Sequence, residues 1–138
     1  MTEFDHEKLD VYRVALEFVV AASDIAEKFL NGRHNLADQL DRASSSVVLN
    51  IAEGAGEFSP AEKARFYRMA KRSATECAAA LDVCKARKWA DAPSLEAGRE
   101  MLLRIVSMLI RMIHTVEAAR DRKSGESPER SIAPPKPR

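Results

Sequence analysis

Four stretches of this chain repeat apolar side chains at steps of three and four, and none alternates them with period two. That spacing confines the fold to amphipathic helices packed on one another. The first stretch runs from about Leu9 to Leu30 and carries two apolar lines. A primary seam follows Leu9, Tyr12, Leu16, Val19, Ser23, Ala26 and Leu30, and a second line follows Val11, Ala15, Phe18, Ala22, Ile25 and Phe29. Asn31-Gly32 ends it, since glycine accepts the left-handed conformation that closes a helix. The second spans about Asn35 to Ala55 and stops at Gly54-Ala55-Gly56. The third opens on Ser59-Pro60-Ala61-Glu62, a capping box with proline at the first helical position, and continues to about Lys88. Its seam is Phe66, Ala70, Ser73, Cys77, Ala80 or Leu81, and Cys84. The fourth runs from about Ser94 to Arg120 along Leu95, Gly98, Leu102, Ile105, Leu109, Met112 and Val116.

Four helices of similar length joined by short links predict an all-α, antiparallel up-down-up-down four-helix bundle over residues 1–121. Residues 122–138 carry Pro128, Pro134, Pro135 and Pro137 among charges and serines, the composition of a disordered, Pro-rich charged tail. Helices one and four carry more apolar surface than one bundle core uses. Either these are simply the most buried helices or they also pack against another subunit; the long, continuous excess stripes Phe18/Ile25/Phe29 and Leu103/Val106/Ile110 favour a subunit interface and a homo-oligomer.

Composition narrows the class further. Apolar residues make up 46% but aromatics only 6%, which favours helix over sheet. A formal net charge of +1 gives the whole molecule no strong preference for polyanions. Charge is nonetheless uneven. Residues 1–30 are acidic, whereas 59–88 set eight basic side chains against Glu62, Glu76 and Asp82. Cys77 and Cys84 lie seven apart on one helix, about 10 Å between Cα atoms, too far for a disulfide between them. They read as small core residues in a reducing, cytoplasmic protein. Neither a secretory leader nor a membrane span is visible, so no membrane association is expected.

One helix breaks its own apolar pattern. The seam Leu36, Leu40, Ala43, Val47, Asn50, Gly54 places Asn50 where its neighbours are apolar, with Ser46 and Glu53 bordering the same face. A polar group there costs stability unless a partner satisfies it. Ser73 and Glu76 on helix three repeat the three-residue spacing of Asn50 and Glu53, and an antiparallel hairpin can bring the pairs together. Ser46, Asn50, Glu53, Ser73 and Glu76 thus form a candidate polar cluster, and its structural reading, a register-fixing device, outweighs a binding or catalytic one.

These residues resemble a known family. Leu9-Asp10-Val11-Tyr12 with Ala15, then Gln39-Leu40-Asp41-Arg42-Ala43 and Ser46 leading into Asn50-Ile51-Ala52-Glu53-Gly54, are similar to the bacterial four-helix bundle proteins of the 23S ribosomal RNA intervening-sequence family. Glu62, Arg65-Phe66, Ala70, Ser73 and Glu76 fit its third helix; Tyr12 stands where the family usually has Trp. The resemblance implies a ring-shaped homopentamer. It also implies a distant likeness to accessory proteins of diversity-generating retroelements, which bind a reverse transcriptase and RNA.

No catalytic constellation stands in the sequence. His6, His34 and His114 do not complete the inward Glu-x-x-His pairs of a di-metal bundle, and no nucleophile motif or phosphate loop is present. The expectation is a non-enzyme without cofactor or metal. The one concentrated basic run of the folded part is Lys63, Arg65, Arg68, Lys71 and Arg72, with three arginines on one face. It reads as a phosphate-contacting surface for structured RNA or other nucleic acid, or as a solvated face paired with the acidic first helix. A protein-interaction scaffold, such as an accessory subunit to a protein partner, is the other functional class.

Overall fold

The computed structural model describes residues 2–123. A 3-10 turn at Asp5–Lys8 leads into four helices: α1 Asp10–Phe29, α2 His34–Gly56, α3 Pro60–Arg87 and α4 Ala92–Lys123. Each helix packs on the next and α1 also packs on α4, while the diagonal pairs stay apart. That is the antiparallel four-helix bundle the periodicity predicts. The expected start of the tail at residue 122 falls inside α4, and residues 124–138 lie outside the described residues.

The ends form for local reasons. Gly32, at φ +81°, turns the chain between α1 and α2. The Ser59 hydroxyl accepts from the Glu62 backbone N–H at 3.3 Å, and Pro60 takes the first helical position of α3. Lys88 closes α3 in the left-handed conformation at φ +60°. The Trp89 N–H then reaches the Cys84 carbonyl at 2.9 Å and the Lys88 N–H reaches Lys85, a Schellman closure. The Asp91 carboxylate caps α4 by accepting from the Ser94 N–H at 2.8 Å, and the hydrogen bonds from Ser94 hold its pKa below the usual value.

Phe18, Leu40, Ile51, Ile105, Leu109 and the two free cysteines fill the core. Ala64, Ala70 and Ala74 are fully buried along α3 and let α2 and α4 approach it closely. On α1 the buried face is Val11, Val14, Ala15, Phe18, Ala22 and Ile25. The expected order of its two apolar lines is thereby reversed. Leu16 and Ser23 of the supposed primary seam are exposed, and Tyr12 and Val19 are half-buried. Ala15, Phe18, Ala22 and Ile25 of the other line are buried, so that line turns inward. No helix among the described residues is long and apolar enough to cross a membrane.

Candidate functional site

The Asn50–Gly54 block lies on the α2–α3 seam and ends in a close helix contact. A Cβ added at Gly54 would stand 2.6 Å from Cε1 of Tyr67 and 3.2 Å from Cβ of Phe66. Glycine is required there because one edge of the Tyr67 ring occupies the space a Cβ would take. Tyr67 is therefore a core residue, 4% exposed, although Arg65 and Arg68 stand beside it in sequence. Burial raises the pKa of its phenol.

Lys63 completes this corner. Its ammonium donates to the carbonyls of Gly54 at 2.7 Å and Ala55 at 3.1 Å at the end of α2, where the Gly54 carbonyl also accepts from the Glu57 N–H at 3.2 Å. It also stands 5.7 Å from the centre of the Tyr67 ring. Burial lowers its pKa. The expectation that Lys63 faces nucleic acid is corrected on this geometry, because its charge is spent on a helix terminus.

Further along the seam the polar residues interlock by register. Gln39 Nε2 donates to Glu76 Oε2 at 3.3 Å, and the Ser46 and Ser73 hydroxyls share a hydrogen bond of 2.8 Å. Asn50 Nδ2 donates to the Ser46 carbonyl at 2.9 Å and to its hydroxyl at 3.0 Å. Asn50 is half-buried at the edge of the seam, with its partners on its own helix. Ser46 and Gln39 make the crossing to α3. Glu53 does not join the cluster; it is exposed and faces Phe4 and Asp5 of the N-terminal segment. Three of the five expected cluster residues, Ser46, Asn50 and Ser73, are thus joined, Glu76 bonds separately to Gln39, and every buried polar side-chain atom among the described residues has a partner.

The basic face of α3 is largely neutralised. Arg65 pairs with Glu62 at 2.9 Å and lies over the Phe66 ring, and Arg68 pairs with Glu117 of α4 at 2.7 Å. Hydrogen bonding to Arg65 lowers the Glu62 pKa and raises that of Arg65. Arg72 is exposed and Lys71 half-buried, and neither forms an ion pair among the described residues. The partners are acids of α3 and α4, not those of the first helix.

The expected interface stripes fare differently. Phe18 and Ile25 lie in the protomer's own core at 1% and 3% exposure, and Phe29 packs half-buried against it, so the α1 stripe cannot face another subunit. The outward apolar residues of α1 are Leu16 and Val20, one turn apart. On α4, Leu103 and Ile110 are exposed and Val106 is half-buried. Among the described residues no group of three or more His, Cys, Asp or Glu is placed to hold a metal.

A family model described as 23S rRNA-intervening sequence protein matches residues 7–111. No curated protein matches. Among solved structures, a protein with unknown function from the S23 ribosomal protein family of Bacteroides thetaiotaomicron superposes with a TM-score of 0.70 at 22% identity, covering 75% of this chain and 97% of that one. At that identity the likeness establishes the fold.

Proposed function

The chain belongs to the 23S rRNA-intervening sequence protein family, and from that premise we propose that it is a non-enzymatic helical scaffold that works as a homo-oligomer. One observation carries this reading: Leu16 and Val20 on α1, and Leu103 and Ile110 on the adjacent α4, stand in solvent at 38–61% exposure. Covering the exposed part of each contributes on the order of 1 kcal/mol. Association costs about 4–15 kcal/mol, so one patch is insufficient and both copies have to contribute a face. A heterologous contact closes into a ring when its rotation closes, and the family resemblance implies a pentamer. Val20→Glu, Leu103→Glu and Ile110→Glu each place a charge on the contact without touching the core. By light scattering each variant should have a smaller mass than the parent chain, with unchanged helicity. Variants that keep the parental mass would overturn the reading.

A second reading, contact with structured RNA, is favoured by Arg72 and Lys71, which keep their charges unpaired among the described residues. Arg65 and Arg68 can exchange their exposed carboxylate partners for phosphate at small cost. Changing Arg65, Arg68 and Arg72 to Gln should abolish salt-sensitive RNA binding while preserving fold and mass. Binding equal to the parent chain at low salt would exclude this face.

A further inference from the structure

At the other end of the bundle, the turn before α2 and the end of α3 hold two arginines against one indole. Arg33 places its guanidinium carbon 4.3 Å from the centre of the Trp89 ring, and Arg87 places its own at 5.3 Å. Each cation gains from the ring face, but two guanidiniums gathered on one side chain repel each other. Neither has a carboxylate within ion-pair distance among the described residues; Arg33 makes one long hydrogen bond, 3.5 Å, to the Asn31 carbonyl. This differs from the basic face of α3, where Arg65 and Arg68 each find a carboxylate.

These side chains surround a cleft of about 550 Å³. That volume lies within the range of small-molecule sites, about 300–1,000 Å³. His34 adds a third basic group to the lining, which contains no carboxylate among the described residues. The first turn of α2 also lines it, without an acidic residue or a side-chain cap, and so adds positive backbone potential. Asn35 and Gln39 add neutral polar groups, and the apolar part of the wall is Leu36, Val83 and the indole itself, with Val83 41% exposed. Trp89 is well anchored, since its N–H closes the Schellman turn and its ring packs half-buried on the core.

A cationic rim beside apolar side chains that include an indole suits a ligand with an anionic head and a planar body. We propose that this cleft binds a nucleotide, with the phosphate between Arg33 and Arg87 and the base against Leu36, Val83 and Trp89. A bare anion would leave the apolar wall uncovered, and an uncharged base would leave the arginines unneutralised. Guanidinium pairs suit phosphate because each fork donates two parallel hydrogen bonds. The site is separate from the basic face of α3: Arg72 and Arg87 are about 22 Å apart along the helix. It is also independent of the α1 and α4 stripes assigned to self-association.

Trp89 is the one tryptophan of the chain, so its fluorescence reports on the cleft directly. The full-length protein is titrated with the four ribonucleoside 5′-monophosphates, excited at the red edge of the indole band where the bases do not absorb. Parallel titrations use nucleosides, inorganic phosphate and phosphoserine. Saturable quenching by a monophosphate is expected, with the other three probes weaker by about tenfold or more, the equivalent of one charge-assisted hydrogen bond. Arg33→Ala and Arg87→Ala should each weaken it by about tenfold. Val83→Asp should abolish it while leaving both arginines and the oligomer mass in place. Absence of saturable quenching in the folded parent overturns the proposal. Equal binding of inorganic phosphate does so too, as it reduces the cleft to a general anion site. Phosphoserine binding as tightly as the nucleotides would assign it to phosphopeptides instead.

Discussion

Replacing Gly54 by Ala inserts one methyl group into the contact between α2 and α3, and the geometry fixes the sign of the effect. In an ordinary helix interior the change stabilises by about 1 kcal/mol, because alanine has the higher helix propensity. At Gly54 the new Cβ stands 2.6 Å and 2.8 Å from two Tyr67 ring carbons and 3.2 Å from Cβ of Phe66. The ring has to retreat by most of an ångström. It is 4% exposed and enclosed by the core, and the Phe66 Cβ is tied to the α3 backbone and cannot swing aside. Overpacking of this kind costs about 1–3 kcal/mol. With tighter-than-contact distances on three atoms the cost falls in the upper part of that range, so the net destabilisation is about 1–2 kcal/mol. Gly56 supplies the control on the same helix: a Cβ there meets nothing within 4 Å, and Gly56→Ala should be neutral or stabilising by up to about 1 kcal/mol. Urea denaturation followed by circular dichroism measures both. A Gly54→Ala variant as stable as the parent, or more so, would refute the assignment of this glycine to a close helix contact.

Ser46→Ala should cost about 1–2 kcal/mol by denaturation, and Ser73→Ala only about 0.5–1, because Ser46 bonds to both Ser73 and Asn50. Equal losses would disprove that hierarchy. Lys63→Met should destabilise by about 1 kcal/mol, as the Ala55 carbonyl loses its side-chain donor and the Gly54 carbonyl keeps only the Glu57 N–H; an unchanged denaturation midpoint would contradict this. Burial pushes the Cys77 thiol from 9.0 up to about 12. The folded thiol then stays neutral while the unfolded one ionises, so its contribution to stability is complete below pH 9 and is lost as pH rises from 9 through 12. Cys77→Ala should flatten that alkaline decline relative to the parent, and a superimposable pH profile would count against it.

The bundle was legible because each helix announces itself twice, by an apolar period and by its punctuation: Asn31-Gly32, Gly54-Ala55-Gly56, and Ser59-Pro60 with Glu62. Which face of α1 turns inward was not. Both of its lines are apolar, and the choice rests on how α2 and α4 pack against it, which depends on residues far away in sequence. The period places Asn50 in the seam itself, whereas it lies half-buried at the edge with its partners on its own helix; a helical period cannot distinguish a seam's centre from its edge, and Ser46 makes the crossing instead. Tyr67 stands in sequence among Arg65, Arg68 and Lys71, yet it is buried. The signal that could have located it was Gly54, since a glycine inside a helix that continues beyond it implies a bulky neighbour pressed against the backbone. The Arg33–Trp89–Arg87 grouping joins two turns more than fifty residues apart and has no local signature.

Self-association is the claim on which the scaffold reading depends, and sedimentation equilibrium of the full-length chain across the micromolar range tests it most directly. The account predicts a mass that is a whole multiple of the 15.3 kDa protomer, fivefold for the ring implied by the family resemblance, and a shift toward the protomer in Leu103→Glu and Ile110→Glu. A parent chain that sediments at 15.3 kDa throughout that range would contradict it.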